Sequence, residues 1–343
     1  MARVLKQHFP HAHISMLIRR YTAELVKDNP AVDEALYYDN DDNLYPIMYL
    51  VEELRKGKYD LVFHTYPRFR AALITWLARI PIRIGTGYRW YSFLFNRKIY
   101  EHRKDALRHE LEYNLNLLQA LNCRIKYNDI TPELRVQSSA TEKVKKILAE
   151  LGVTEDRKFV ILHPGSGGSA REWSAEQFGE LGRRLGQFPE LTIIITGGKG
   201  EEELVTRVQS RVGSPNIAFV NQLSLGEYAA LAKLASLFIS NSTGTLHIAA
   251  AVGTSVIGLY PQLTSLSAVR WGPYTDKKII FTPTNRPLNC MQCTGEKGSS
   301  CECMNSISVD EVLAAATQML FREQKQYAGS LHDKSLLHGD NAR

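Results

Sequence analysis

The 343-residue chain contains no uninterrupted run of about 18 apolar residues, so no membrane-spanning helix is expected. Its opening residues, Met1-Ala2-Arg3-Val4-Leu5-Lys6-Gln7-His8, have no apolar core of the kind a signal peptide needs. The expected location is therefore the cytoplasm. Cysteine is scarce: five residues in all, four of them late, which fits a reducing compartment rather than a disulfide-built fold. Neither charge sign dominates. The net charge of +6 is mild. It fits contact with phosphates or an anionic surface, and equally fits ordinary solubility. No internal sequence repeat is found.

What remains is ordinary globular material, 44% apolar and 23% charged, and long enough for two cores. Short apolar runs alternate with amphipathic stretches from end to end. In the first half Ala12–Ile18, Val32–Tyr38, Tyr59–His64 and Pro81–Gly85 read as strands. Tyr21–Asn29, Tyr45–Lys56 and Arg70–Arg79 read as helices. Asp105–Leu121 reads as one longer amphipathic helix with Leu107, Leu111, Leu115 and Leu118 on a common face. In the second half Phe159–His163, Leu191–Thr196, Ser236–Ser240 and Ser255–Tyr260 are apolar runs typical of buried parallel strands. The helices between them begin at Ser174 and Ser224, each with a capping-box partner three residues on, Gln177 and Glu227. A last helix is expected over Val309–Phe321. This order implies α/β architecture with parallel sheets. The expected division is residues 1–139, residues 140–321, and a polar, disordered tail over 322–343.

Three strand ends in the second half carry chemistry, because open α/β sheets bind ligands at the carboxyl ends of their strands. The first turn is His163-Pro164-Gly165-Ser166-Gly167-Gly168-Ser169-Ala170-Arg171-Glu172-Trp173. Its glycines allow close backbone approach to a phosphate, Ser166 can donate a hydrogen bond, and Arg171 can pair with a diphosphate. A plain surface loop is the competing reading. The second is Thr196-Gly197-Gly198-Lys199-Gly200-Glu201, where a carboxylate just past a strand can take ribose hydroxyls. An acidic first helical turn suited to the helix dipole is its competitor. The third, Ser240-Asn241-Ser242-Thr243-Gly244-Thr245-Leu246-His247, leads into a small-residue helix whose N-terminus would face the same crevice.

Taken in order, His-Pro-Gly, Arg-x-Trp, Gly-Gly-x-x-Glu and Ser-Thr-Gly-x-x-His-x-Ala-Ala resemble glycosyltransferase family 9, the ADP-heptose:lipopolysaccharide heptosyltransferases and their relatives. Ile80–Gly85 and the helix bearing His109, Glu112 and Leu117 extend the resemblance over about residues 2–320. The resemblance implies a GT-B fold: two Rossmann-like domains with a cleft between them. It also implies an inverting transfer without metal or cofactor, in which Ser166 and Arg171 hold the diphosphate and Glu201 the nucleoside. Ser242, Thr243, Gly244 and His247 would line the sugar-diphosphate pocket. The implied partners are a nucleotide-sugar donor and a lipopolysaccharide core or lipid-linked glycan acceptor at the inner membrane, with no nucleic acid.

Two features depart from that pattern. Ser242 stands where well-known heptosyltransferases carry Asp. The family's opening strand and Gly-Asp turn, whose Asp is the general base, have no counterpart, because Met1–Lys6 resembles the helix that follows them. The N-terminal domain is thus expected to lack its first strand, a start placed too far downstream being the preferred explanation. No catalytic residue is assigned. A catalytically silent nucleotide-sugar-binding homologue is the alternative; a GT-B-fold sugar epimerase is disfavoured by the motif order. Tyr66, Arg68, Arg70 and Arg89-Trp90-Tyr91 are candidates for meeting the acceptor, or else a solvated basic face. Cys290, Cys293, Cys301 and Cys303 could hold zinc, although their last spacing of one residue is tight; a loop without metal is the main expectation.

Overall fold

A computed structural model describes residues 1–213, 215–283 and 302–332. The chain separates into two compact units, one of Met1–Gln137 with Thr264–Gly272, the other of Ser138–Leu263 with Pro273–Arg343.

The first unit contains α1 (Ala2–His8), β1 (Ser15–Ile18), β2 (Glu34–Tyr37), α2 (Ile47–Lys56), β3 (Leu61–Phe63), α3 (Phe69–Leu77), β4 (Ile82–Thr86), β5 (Arg97–Ile99) and α4 (Glu110–Asn116). Its strands are parallel but form two sheets, β1–β2 and β3–β4–β5. No ladder joins the two among the described residues. They still share a core. Leu50, Val51 and Leu54 of α2 pack with Ile74 and Ile80, and Leu17, Leu36 and Val62 of three different strands lie against that cluster.

The single helix expected over Asp105–Leu121 is two pieces. Ala106 takes a left-handed conformation (φ 48°) and His109 caps α4, its Nδ1 accepting from the Leu111 amide. Beyond α4 the chain tightens into a 3-10 helix, Leu117–Leu121. Leu107, assigned to the buried face by periodicity, is 79% exposed because it precedes the helix. Tyr21–Asn29 is likewise a shorter 3-10 turn, Arg20–Leu25.

The second unit contains α5 (Ser138–Glu150), β6 (Lys158–His163), α6 (Ala175–Leu185), β7 (Leu191–Gly197), α7 (Glu202–Val212), β8 (Ile217–Val220), α8 (Leu225–Leu234), β9 (Leu237–Asn241), α9 (Gly244–Ala251) and β10 (Val256–Leu259). The chain then contributes α10 (Ala268–Trp271) to the first unit. It returns with β11 (Lys278–Phe281), α11 (Glu302–Asn305) and α12 (Val309–His332). Six parallel strands lie in the order β11-β10-β9-β6-β7-β8. Every residue of β9 and β10 is buried, as strands covered by helices on both faces must be. Beneath them Leu162, Ile195, Leu237 and Ile257 pack with Phe178 of α6, Val208 of α7 and Val312 of α12.

Thr264–Gly272 is held to the first unit by charge. Glu110 accepts from Arg103 through one oxygen and from Arg270 Nε (2.9 Å) through the other, and each of the three side chains is less than 20% exposed. His109 Nε2 donates to the Gly272 carbonyl at 2.7 Å, since Nδ1 is already the acceptor. Elsewhere the Ser224–Glu227 capping box is complete. The Ser174 box is half-formed: Ser174 accepts from the Gln177 amide, but the Gln177 side chain turns to the carbonyls of Asn305 and Ile307. The last helix runs on to His332, past the stop expected at Phe321 and into the stretch expected to be disordered; an amphipathic pattern alone does not mark that end. Residues 333–343 lie outside the described residues.

Candidate functional site

In the second sheet the direction of winding reverses between β6 and β9, which are neighbours in space but far apart in sequence. Turns leaving the carboxyl ends of such a strand pair diverge and leave a crevice between them. The Gly-rich turn follows β6, and Ser242–Thr243 follows β9. Asn241, fully buried as the last residue of β9, fastens the Gly-rich turn at both ends. Its Nδ2 donates to Pro164 O (2.6 Å) and its Oδ1 accepts from Trp173 N (2.9 Å). The indole of Trp173 is buried as well and donates to Ile307 O at 2.9 Å.

Between those two fastenings the turn is internally ordered. Gly167 and Gly168 both have positive φ (55° and 74°), a pair of conformations that non-glycine residues rarely adopt. Ser169 N donates to Ser166 O at 3.0 Å and closes the turn. Two carboxylates take the next amides: Glu172 Oε1 accepts from both Ser166 N (2.8 Å) and Ser166 Oγ (2.7 Å), while Glu201 Oε1 accepts from Gly167 N (3.0 Å). The other oxygen of Glu201 accepts from Gly198 N at 2.8 Å, so this side chain ties the turns after β6 and β7 together. A Cβ at 165 would overlap the Glu201 carboxylate, so a larger residue there would displace that side chain from Gly167 and Gly198.

The environment of these groups shifts their protonation. Burial raises the Glu172 carboxyl above the usual range, its two Ser166 hydrogen bonds work against that rise, and the Glu201 charge adds to it. His163, at the end of β6, is fully buried and drops to about 4 through loss of solvation. It is therefore a neutral ring at pH 7, bonded through Nδ1 to Thr196 Oγ1 (2.9 Å), with Tyr228 OH 3.1 Å from the same hydroxyl. Burial raises the Tyr228 hydroxyl, so it too stays uncharged.

Each site residue expected from the sequence can now be placed. Ser166, Arg171 and Glu201 lie on or against the Gly-rich turn, with Ser166 and Arg171 buried. The Ser166 hydroxyl donates inward to Glu172, not toward the crevice. Glu201 is not inside α7 but caps its start, where its side chain bonds back to Gly198. Ser242 and Thr243 bridge β9 to α9; the Ser242 side chain hydrogen-bonds the Tyr260 hydroxyl, and Ser169 Oγ lies 3.2 Å from Ser242 O. Thr243 is the N-cap of α9 but makes no side-chain cap, and Gly244 is exposed as the first helical residue, so the leading amides of this eight-residue helix are left to other acceptors. His247 is half-buried in the same helix.

Glu172 and Asn241 carry more of this geometry than the sequence reading allotted to them. Both stood inside the quoted motifs. A buried carboxylate or amide beside a Gly-rich turn is the available signal, because only a partner such as a backbone amide makes its burial tolerable. In the first unit the candidates divide. Arg70 donates to Tyr45 O and lies over the Tyr38 ring, and Tyr91 is buried, whereas Tyr66, Arg68, Arg89 and Trp90 are exposed. Of the four clustered cysteines only Cys303 lies among the described residues, buried in the second core; Cys290, Cys293 and Cys301 lie outside them. No group of three or more His, Cys, Asp or Glu is placed to hold a metal ion among the described residues.

Comparison with known proteins agrees with this architecture. The family model described as glycosyltransferase family 9 (heptosyltransferase) matches residues 47–301. Lipopolysaccharide heptosyltransferase 3 of Escherichia coli K12 is 26% identical over 327 residues, covering 92% of each chain. A Haemophilus influenzae protein described only as a candidate glycosyltransferase is 28% identical over 287 residues, 82% of this chain and 83% of its own. Among solved structures, the glycosyl transferase family 9 protein of Veillonella parvula superposes with a TM-score of 0.78 at 21% identity, covering 94% of this chain and 92% of its own. E. coli ADP-heptose lipopolysaccharide heptosyltransferase II gives 0.75 at 19% identity, covering 94% of each. These likenesses show a GT-B fold.

Proposed function

The chain belongs to glycosyltransferase family 9, and from that membership we propose that it transfers a sugar, heptose from ADP-heptose, to a lipopolysaccharide core acceptor by a single inverting displacement. Its place of work is the cytoplasmic face of the inner membrane, where a lipid-anchored acceptor would be presented. The observation that carries the reading is the winding reversal between β6 and β9: the turn after β6 bears buried Arg171, the turn after β9 leads into α9 without a side-chain cap, and the two approach through Ser169 Oγ and Ser242 O (3.2 Å). That combination suits a nucleoside diphosphate leaving group. Arg171 supplies positive charge, and the amides at the start of α9, with Thr243 and Gly244, supply fixed donors that need no reorganisation as charge develops. Glu201 is assigned to the nucleoside, and Ser242 and His247 to the wall of the sugar pocket. The inward commitment of Ser166 gives it a supporting part: it shapes the turn through Glu172 while Arg171 meets the diphosphate.

The acceptor hydroxyl must lose its proton during attack, and this is the one role to which no residue of the chain is assigned. A homologue that binds nucleotide sugars without transferring them is therefore the second reading. A binding screen across ADP-, UDP- and GDP-sugars, followed by turnover with a purified core acceptor, separates the two: donor binding without transfer favours the silent homologue. Arg171→Ala is expected to weaken ADP-sugar binding by about 10- to 100-fold, the worth of a charge-assisted hydrogen-bond pair. Unchanged affinity would remove Arg171 from the site.

A further inference from the structure

The first unit carries a surface that the donor site does not use. From Leu61 to Tyr100 the chain holds seven Arg and Lys residues and no Asp or Glu. Within that stretch several large rings face solvent: Trp90 is 73% exposed, Tyr66 and Phe93 69%, and Phe69 40%. They are not strays from a loosely packed loop. Phe69 and Trp90 pack against each other with ring centres 4.8 Å apart and planes tilted by 31°, and Arg68 lies over the Tyr66 ring at 4.5 Å. The residues that alternate with them are buried: Tyr91, Ser92, Leu94 and Phe95. Tyr91 OH donates to Pro67 O (2.6 Å), and Ser92 Oγ donates to Thr86 O (2.7 Å) while accepting from Arg89 N (2.9 Å). The turn is anchored from beneath, with Trp90 and Phe93 exposed on its outer side. Trp76, also exposed, lies seven residues after Phe69 and so on the same face of α3.

From this we infer that Tyr66, Phe69, Trp90 and Phe93, flanked by Arg68 and Arg89, form a docking surface for an anionic lipid bilayer. Amphipathic rings settle at the headgroup level of a membrane, and exposed arginines are drawn to its negative surface potential. Within the stretch no carboxylate offsets the charge of these arginines. No helix among the described residues is long and apolar enough to cross a membrane, so the contact is peripheral. The inference deepens the proposed use of a lipid-anchored acceptor and rests on that reading for its purpose, but not for its measurement.

The test is co-sedimentation of the full chain with vesicles of phosphatidylcholine, with and without phosphatidylglycerol, in the absence of donor and acceptor. Failure of the donor-site reading does not move this readout. Binding is expected to the phosphatidylglycerol vesicles and to weaken with added salt. Arg68→Ala with Arg89→Ala should lower the partition on the order of 25-fold, about fivefold for each charge. Trp90→Ala with Phe93→Ala should lower it at least about tenfold and diminish any blue shift of tryptophan emission on binding, leaving only the part that Trp76 contributes. All four side chains are exposed, so circular dichroism should match the parent chain. Vesicle binding that these variants leave unchanged overturns the assignment. So does binding to a delipidated, phosphorylated core oligosaccharide with none to vesicles, or a self-association that Trp90→Ala abolishes.

Discussion

The two units are built from the same alternation of strand and helix, yet they bury it differently. In the second, six strands form one unbroken ladder, and β9 and β10 are buried along their whole length. In the first, five strands form two sheets, and β1, β2 and β3 contain no fully buried residue. Its core is divided among three smaller clusters, around Leu50 and Ile74, around Leu115 and Leu118, and around Tyr91 and Phe95. Continuity of the sheet, more than strand composition, sets how much apolar side chain leaves water. The functional surfaces follow the same division. The second unit places its proposed site at a reversal that only a continuous sheet supplies, and the first offers an exposed surface of rings and cations.

The comparison is most exposed to a core truncation. Leu162→Ala, fully buried in β6, should destabilise the second unit by about 3–5 kcal/mol, whereas Leu36→Ala in half-buried β2 should cost the first unit about 1–2 kcal/mol. Urea unfolding followed by probes in each unit would read both. Equal costs would break the distinction drawn here.

Asn241→Ala is expected to come next. It strips partners from Pro164 O and Trp173 N, both buried, at a cost of about 2–4 kcal/mol. Donor affinity should fall with stability, because the turn bearing Arg171 loses both fastenings. A variant that melts early yet binds donor normally would show that the turn holds its shape without them.

Acid sharpens the comparison in another way, because each unit has a histidine held neutral by burial. His64 in the first bonds Thr75 Oγ1 (3.1 Å), His163 in the second bonds Thr196 Oγ1, and both fall from 6.5 to about 4. A depressed folded value means that the unfolded chain binds the proton more readily. The stability each contributes is therefore present above pH 6.5 and lost as pH falls toward 4. The loss is up to about 3 kcal/mol apiece. His163→Asn should flatten that slope in the second unit alone. A slope unchanged in the variant would mean that acid loosens the second unit through other groups.

The smallest expected effect is that of Glu172→Gln. The amide keeps an acceptor for Ser166 but gives up the charge, so a loss of about 1 kcal/mol in thermal unfolding is expected, with donor affinity within about tenfold of the parent. A larger loss of affinity would give this carboxylate a direct part in donor binding.

Much of the second unit was legible in advance because parallel strands buried on both faces are aliphatic runs, and each such run here ends in a turn of small residues. Phe159–His163 and Leu191–Thr196 match β6 and β7 within a residue. The strands that went unread, β5, β8 and β11, are three or four residues long and, Phe219 apart, not buried, so neither periodicity nor a long apolar run marks them. The helix drawn through Leu107 failed for a local reason. Leucine spacing persists across the left-handed Ala106, but the backbone does not follow it.

The sequence alone determined the fold class, the family and the order of the three turns, since these depend on which residue types recur at which spacing. Only the tertiary structure decided that Ser166 faces Glu172, that Asn241 fastens the Gly-rich turn at both ends, and that Glu201 spans two turns. It likewise decided that Thr264–Gly272 belongs with the first unit. Those outcomes rest on hydrogen bonds and ion pairs between residues up to about 160 positions apart. A buried polar group must find a partner, but sequence spacing does not say which one folding brings within reach.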